Sequence, residues 1–317
     1  MAVLFRVHWL SVTIWGTKEY GLKMWQEWFE GVLGPMQAVG HGGRGFKSLY
    51  KALLEAKLYA DPIAQAGNEG NPYFGLELPG SACDAVPDKL LQEFVIVLER
   101  WEKARITRLD LAWDGTPFTP EQVKEAVELE QMRSYLRREK MLYSVSPYEK
   151  REDGRVGTSS LRLGSSQSTR MLRVYDKHGP VRLEMQTRAE RADLIARDVL
   201  VKLPRLWVDR AIAHLRDYID FIEQETEKLL PWWLAFVNNQ ARAMKTVSDA
   251  RTIELNRMLA WVDNQVSPTL SVLADVVGSQ AIEAFVVSGR RKRGQKFNAL
   301  LKASEKGGKA HGSQEES

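Results

Sequence analysis

The residues with chemistry to offer gather in three short segments, Arg108–Asp114, Arg173–Lys177 and Arg182–Gln186. In extended backbone, side chains two positions apart point the same way. Arg108, Asp110, Ala112 and Asp114 therefore share one face, and Leu109, Leu111 and Trp113 share an apolar one. Two carboxylates beside a small alanine leave room above the strand, and a bound Mg²⁺ or Mn²⁺ would offset their repulsion. The competing arrangement is a structural network in which Arg108 or other basic residues neutralise them. By the same parity Arg182, Glu184 and Gln186 face together, with Val181, Leu183 and Met185 toward the core. Glu184 is a third candidate metal ligand if this strand neighbours the first.

In the remaining segment Arg173, Tyr175 and Lys177 project together, with Leu172 and Val174 opposite. A phenol titrates at about 10, and nearby cations favour the phenolate needed to attack a phosphodiester. Arg173 and Lys177 are also placed to hold the scissile phosphate and its extra transition-state charge. The plain alternative is a tyrosine that packs in its strand. Other chemistries lack their signatures. There is no phosphate-cradling loop, so ATP hydrolysis is not expected. The histidines 8, 41, 178, 214 and 311 form neither a His-x-His pair nor a His-Glu-x-x-His helix, which argues against a zinc hydrolase. No serine nucleophile elbow occurs, and the single Cys83 permits neither an internal disulfide nor a cysteine zinc site.

The elements that must position these groups can be read from pattern. Phe5–Ile14 alternates apolar and polar residues as a strand does, and Gly16 ends it. An amphipathic helix is predicted over Trp25–Leu33, a turn at His41–Gly45, a strand over Tyr73–Leu78 and a helix from Asp88 to about Lys103. Strand Ile106–Asp114 breaks at Gly115. Thr119 suits an N-cap and Pro120 a first helical position, opening a helix to about Arg138. Strands over Ser159–Gly164, Thr169–Asp176 and Val181–Thr187 follow, then a helix from Ala189. Residues Pro204–Val287 read as helical throughout, with starts at Pro231 and at Ser267–Pro268, and Trp207, Trp232, Trp233 and Trp261 read as core. The expected fold class is α+β: a mostly antiparallel sheet with helices on one face over 1–200, a helical domain over 205–288, and a basic disordered tail over 289–317.

Hydrophobic residues make up 44% of the 317 and charged residues 27%, a globular balance. No apolar run approaches the ~20 residues of a membrane span. The net charge of +4 is unevenly spread: eight Lys/Arg against three Glu from Arg290 onward give that tail +5 and the rest −1. Such a tail is either a solvated appendage or an arm that binds phosphates with a salt-sensitive hold.

Taken in order, the segments resemble the replication initiation factor family of rolling-circle plasmids and filamentous phages. Val7–Thr13 resembles its opening strand, Arg108–Asp114 its Arg-x-Asp-x-Ala-x-Asp strand. Leu163–Ser166, Ser168, Arg173–Lys177 and Arg182–Glu184 follow in the family's order. The likeness spans about 5–195 and extends loosely into Pro231–Trp233 and Trp261–Pro268. It implies a metal-dependent endonuclease and strand transferase related to the rolling-circle nickase fold. A tyrosine attacks the origin phosphodiester, keeps a 5′-phosphotyrosyl link, leaves a 3′-OH and later rejoins the strand without a nucleotide cofactor. Tyr175 matches the nucleophile, with Arg173 and Lys177 beside it; Asp110, Asp114 and Glu184 match positions associated with Mg²⁺ or Mn²⁺. The His-hydrophobic-His pair of wider nickases is missing, so carboxylates must replace it. His178-Gly179-Pro180 stands where an acid is expected, which leaves the general base open.

The implied partners are origin DNA, duplex with a single-stranded nick region, and a host helicase and polymerase. A homodimer is a further expectation, no membrane is, and the expected location is the cytoplasm of a bacterial host. A conjugative or integrative-element relaxase would use the same chemistry. An origin-binding or copy-control protein without catalysis is the reading from a different class.

Overall fold

The computed structural model describes residues 3–63, 72–101, 103–134, 141–145, 158–165, 167–176, 180–238, 258–259 and 261–293. The chain begins with β1 (Leu4–Trp15), α1 (Lys18–Trp28), α2 (Glu30–Leu33), β2 (Gln37–Val39), β3 (Phe46–Lys51), β4 (Lys57–Pro62) and β5 (Tyr73–Pro79). It continues through α3 (Gly80–Ala85), α4 (Asp88–Glu99), β6 (Ala104–Asp114), α5 (Pro120–Glu128), β7 (Met132–Ser134) and β8 (Met141–Val145). Then come β9 (Ser159–Leu163), β10 (Arg170–Asp176), β11 (Val181–Arg188), α6 (Ala189–Val199), α7 (Trp207–Tyr218), β12 (Ile219–Phe221) and α8 (Pro231–Asn238). The last described elements are α9 (Ser267–Val277) and α10 (Gln280–Arg291).

Tertiary contacts divide the chain into two compact units, Met1–Thr13 with Pro87–Thr246, and Ile14–Val86 with Val247–Ser317. Within the first unit α7 packs on α6. Thr119 caps α5 in a full capping box with Gln122, and Pro120 occupies its first turn. The helix stops at Glu128, short of the expected Arg138, and the chain turns into β7, whose partner β12 interrupts the run read as helical. Pairing supplied by a distant strand outweighs local propensity there.

In the first unit the strand order is β1-β6-β11-β10-β9-β8, antiparallel from β6 onward. One face is the core: Leu109, Leu111, Trp113, Leu183, Met185, Leu172, Val174 and Leu161 are all fully buried. Each such aliphatic or aromatic side chain stabilises the fold by roughly 1.5–3 kcal/mol. Helix α6 lays Ala192, Ile195, Ala196 and Val199 on this unit's core. Asp193 and Arg197, from the same helix, bond the backbone around β6 at Ile106 N and Ala104 O. Trp113 meets Phe5 and Phe236, and Phe118, Phe221, Trp232 and Trp233 extend the aromatic cluster.

The second unit holds an antiparallel run β2-β3-β4-β5, of which only β5 was expected. The hairpin at His41–Gly45 is tight, since a Cβ on Gly42 would lie 1.9 Å from Phe46 O. Buried Glu77 is held by Lys57 at 3.2 Å and by Arg44. The sequence assigned Trp261 to a core, yet it is 61% exposed, while Trp207 and Trp233 are fully buried. No helix among the described residues is long and apolar enough to cross a membrane.

Candidate active site

Register brings the three chemical segments onto one face. Along β6 and β11, Asp110 opposes Gln186, Ala112 opposes Glu184 and Asp114 opposes Arg182. Along β11 and β10, Glu184 opposes Arg173 and Arg182 opposes Tyr175. Opposed residues project to the same side of a sheet, so the polar face holds Asp110, Asp114, Arg173, Tyr175, Arg182 and Glu184. The sequence parity is met at all six positions.

At its centre Glu184 is fully buried. Its Oε2 accepts a 3.1 Å hydrogen bond from the Tyr175 hydroxyl, and its Oε1 accepts from Arg173 Nη2. Asp110, also buried, accepts two bonds from Arg108, at 3.1 Å on Oδ1 and 2.6 Å on Oδ2. Arg108 stacks over the Trp9 ring, 4.1 Å from its centroid. Asp114 accepts from Arg182 on both oxygens, at 2.7 Å for the Nη2 bond, and its Oδ2 lies 2.9 Å from Arg6 Nη2. Arg173 lies above its carboxylate, its side chain 37% exposed over the buried Glu184.

Strand β1 contributes groups that the motif reading missed. His8 Nε2 sits 2.7 Å from Arg182 Nη1 and 3.6 Å from Glu184 Oε2. Since β6 separates β1 from β11, His8 must reach across it, and Ala112 opposite Glu184 is small enough to allow this. The signal was present in the sequence. Buried positions run Phe5, Val7 and then Leu10, Val12, Ile14, a change of parity at His8–Trp9 such as an extra residue in a strand produces. That slip turns Arg6, His8 and Trp9 all toward the polar face.

The electrostatics revise one expectation. Two cations beside Tyr175 were to favour its phenolate, but its hydroxyl is pushed up to about 12 by burial first and the charge of Glu184 second. The Arg182 charge, opposite the phenol, opposes this without prevailing. Arg173 spends its charge on Glu184, and Lys177 lies outside the described residues. Asp110 is raised to about 6, chiefly by burial, with Glu184 adding to the rise while Arg108 and Arg173 pull against it.

The three expected metal ligands are not gathered equally. Asp110 and Glu184 lie on adjacent strands and feel each other's charge, whereas Asp114 is held by Arg182 and Arg6. Among the described residues no group of three His, Cys, Asp or Glu converges as a metal cage. Mg²⁺ commonly binds one or two carboxylates and completes its shell with water and substrate phosphate. The hard-oxygen pair Asp110 and Glu184 suits that mode. Elsewhere in this unit Tyr143 on β8 donates at 2.9 Å to Glu121.

The fold, an antiparallel sheet with helices on its apolar face, has a counterpart among solved structures. The rolling circle replication initiator protein from Geobacillus stearothermophilus matches with a TM-score of 0.60 at 20% identity, over 77% of this chain and 100% of that chain. A comparison with curated proteins finds no match. The family model for replication initiation factors matches residues 104–287, a span that includes β6, β10 and β11. The chain belongs to the replication initiation factor family.

Proposed function

We propose that the chain initiates rolling-circle replication by nicking one strand of origin DNA through Tyr175. The observation that carries this reading is the hydrogen bond from the Tyr175 hydroxyl to Glu184, beside Asp110 and under Arg173, on one face of the sheet. In the reaction, Tyr175 Oη bonds to phosphorus, and the bond from phosphorus to the 3′ oxygen breaks. A 5′-phosphotyrosyl link and a 3′-OH result, the departing oxygen taking its proton from water. Glu184 Oε2 already accepts the phenolic hydrogen, which orients the nucleophile and offers its proton an acceptor. The Arg173 side chain, 37% exposed over Glu184, is the cation placed to meet the scissile phosphate.

Asp110 and Glu184 are the residues that would hold Mg²⁺ or Mn²⁺, which when bound neutralises phosphate charge. The protein's own arginines carry that burden on the two carboxylates until DNA arrives. Bond energy stored in the phosphotyrosyl link allows rejoining without a nucleotide cofactor. The partners that follow are origin DNA with a single-stranded nick region, a host helicase and a host polymerase that extends the 3′-OH. The basic segment from Arg290 would add a salt-sensitive hold on phosphates.

The test incubates the chain with supercoiled DNA of the replicon that encodes it, in Mg²⁺ or Mn²⁺. Relaxation with a covalent adduct mapped to Tyr175 by mass spectrometry is the expected result. Retardation of the DNA without relaxation would instead mark a binding protein, and an adduct on another tyrosine would displace the assignment.

A further inference from the structure

Arg182 is the buried cation of the site, 1% exposed, and the reading of motifs gave it no role. Its fork is held from two strands. Nε and Nη2 donate to the two oxygens of Asp114 on β6, and Nη1 meets His8 Nε2 on β1. The guanidinium also neighbours Tyr175, its directly opposed residue on β10, and its charge acts on that phenol. A guanidinium bound on both arms by one carboxylate cannot rotate without breaking two charge-assisted bonds.

Asp114 itself lies between two cations, Arg182 and Arg6, on its Oδ2. A divalent cation brought to that carboxylate would face both guanidinium charges at close range, a strongly unfavourable arrangement in a buried site. Asp110 and Glu184 have no such double guard: each has one arginine on it, reaching in from the more exposed side.

We infer that Asp114 is a positioning residue rather than a metal ligand: it fixes Arg182, and Arg182 holds the phenolic oxygen of Tyr175 in place for attack. The hydroxyl hydrogen goes to Glu184, and the fixed Arg182 guanidinium stands opposite the phenol on the neighbouring strand, so a bond and a charge together restrict how the phenol is turned. A nucleophile kept in one orientation loses little freedom on the way to the transition state. The inference rests on the nicking role of Tyr175.

The experiment compares the full-length wild type with Asp114→Asn, Arg182→Lys, Arg182→Gln, Asp110→Asn and Glu184→Gln. Two quantities are read: Mn²⁺ binding by electron paramagnetic resonance, and single-turnover adduct formation at saturating DNA. For Asp114→Asn we expect adduct formation to slow about a hundredfold, the scale of losing one preorganised donor, with Mn²⁺ affinity within about twofold of wild type. Asp110→Asn and Glu184→Gln should each weaken Mn²⁺ about tenfold or more, the loss a ligand's removal brings. Arg182→Lys keeps the charge without the fork and should recover part of the rate lost in Arg182→Gln.

An Asp114→Asn chain that nicks at the wild-type rate overturns the inference, as does one that loses Mn²⁺ as fully as Asp110→Asn. If Asp114→Asn fails to fold by its melting curve, Arg182→Lys decides, and a wild-type rate there is equally fatal. A wild type that forms no adduct removes the nicking reading itself. An active wild type with unimpaired variants removes the positioning role alone.

Discussion

Two buried aspartates in the same unit are managed in opposite ways. Asp220 on β12, 2% exposed, accepts two bonds from Arg216, one from Arg133 and one from the Trp233 indole. Burial pushes its carboxyl up, yet these donors outweigh burial and hold it below the ordinary range. Asp110 is buried as deeply, at 1%, but the two bonds it accepts from Arg108 do not offset its burial, and Glu184 stands nearby with like charge. Burial wins there, and the carboxyl rises to about 6. Burial therefore does not mark function by itself. An acid whose donors suffice is structural; an acid left short of them, beside a second acid and a tyrosine, is prepared for something that is still to arrive.

That contrast can be broken experimentally, and the largest effect belongs to the proposed nucleophile. Tyr175→Phe should lower adduct formation by about 10⁴-fold or more while origin binding, measured by gel retardation, stays near wild type. Adducts that persist would move the chemistry elsewhere. Asp110→Asn comes next and acts in two directions. Nicking should fall about a hundredfold, yet the metal-free fold should become more stable at pH 7 by roughly 2 kcal/mol. The folded carboxyl titrates at about 6 against 3.8 in the exposed group, so the folded state binds the proton more tightly and stability falls as pH rises between those values. Thermal melts should show the gain shrinking to nothing below about pH 4.

Asp220→Asn should do the reverse, costing about 2–3 kcal/mol with unchanged nicking per folded molecule. Its lowered carboxyl contributes stability that is present at neutral pH and lost as pH falls through the folded value. A variant pair that shifted in the same direction would end the distinction between the two acids. A smaller effect concerns rate: nicking should decline below about pH 6 as Asp110 takes its proton, by about tenfold per unit. The smallest concerns the basic end. Deleting 290–317 should weaken DNA binding and flatten its salt dependence without changing the phosphodiester cut; equal salt slopes would remove that segment from the account.

Much of the site was readable because strand parity is a local rule. A period of two sorts side chains onto faces whatever the rest of the chain does, so Asp110, Glu184 and Tyr175 could be assigned to polar faces before any pairing was known. The order of the segments carried the family resemblance. The short strands β2, β3, β4 and β12 were not readable, since three to six residues carry too little periodicity to outweigh competing patterns. Helix α5 shows the same limit in reverse: its start was legible in Thr119 and Pro120, but its end was set by the pairing of β7 with β12.

By itself, then, the sequence determined which residues share a face, where the capped helix α5 begins, and the family to which the chain belongs, while the Thr17 cap that starts α1 at Lys18 rather than Trp25 went unread. Tertiary structure decided which charges meet. Whether Asp114 faces a metal or an arginine depends on Arg182 lying opposite it, 68 positions away in the chain. Whether Tyr175 is a ready phenolate depends on burial and on the through-space charge of Glu184. Electrostatic energy follows distance and desolvation rather than chain order, so parity could name the participants but not their partners.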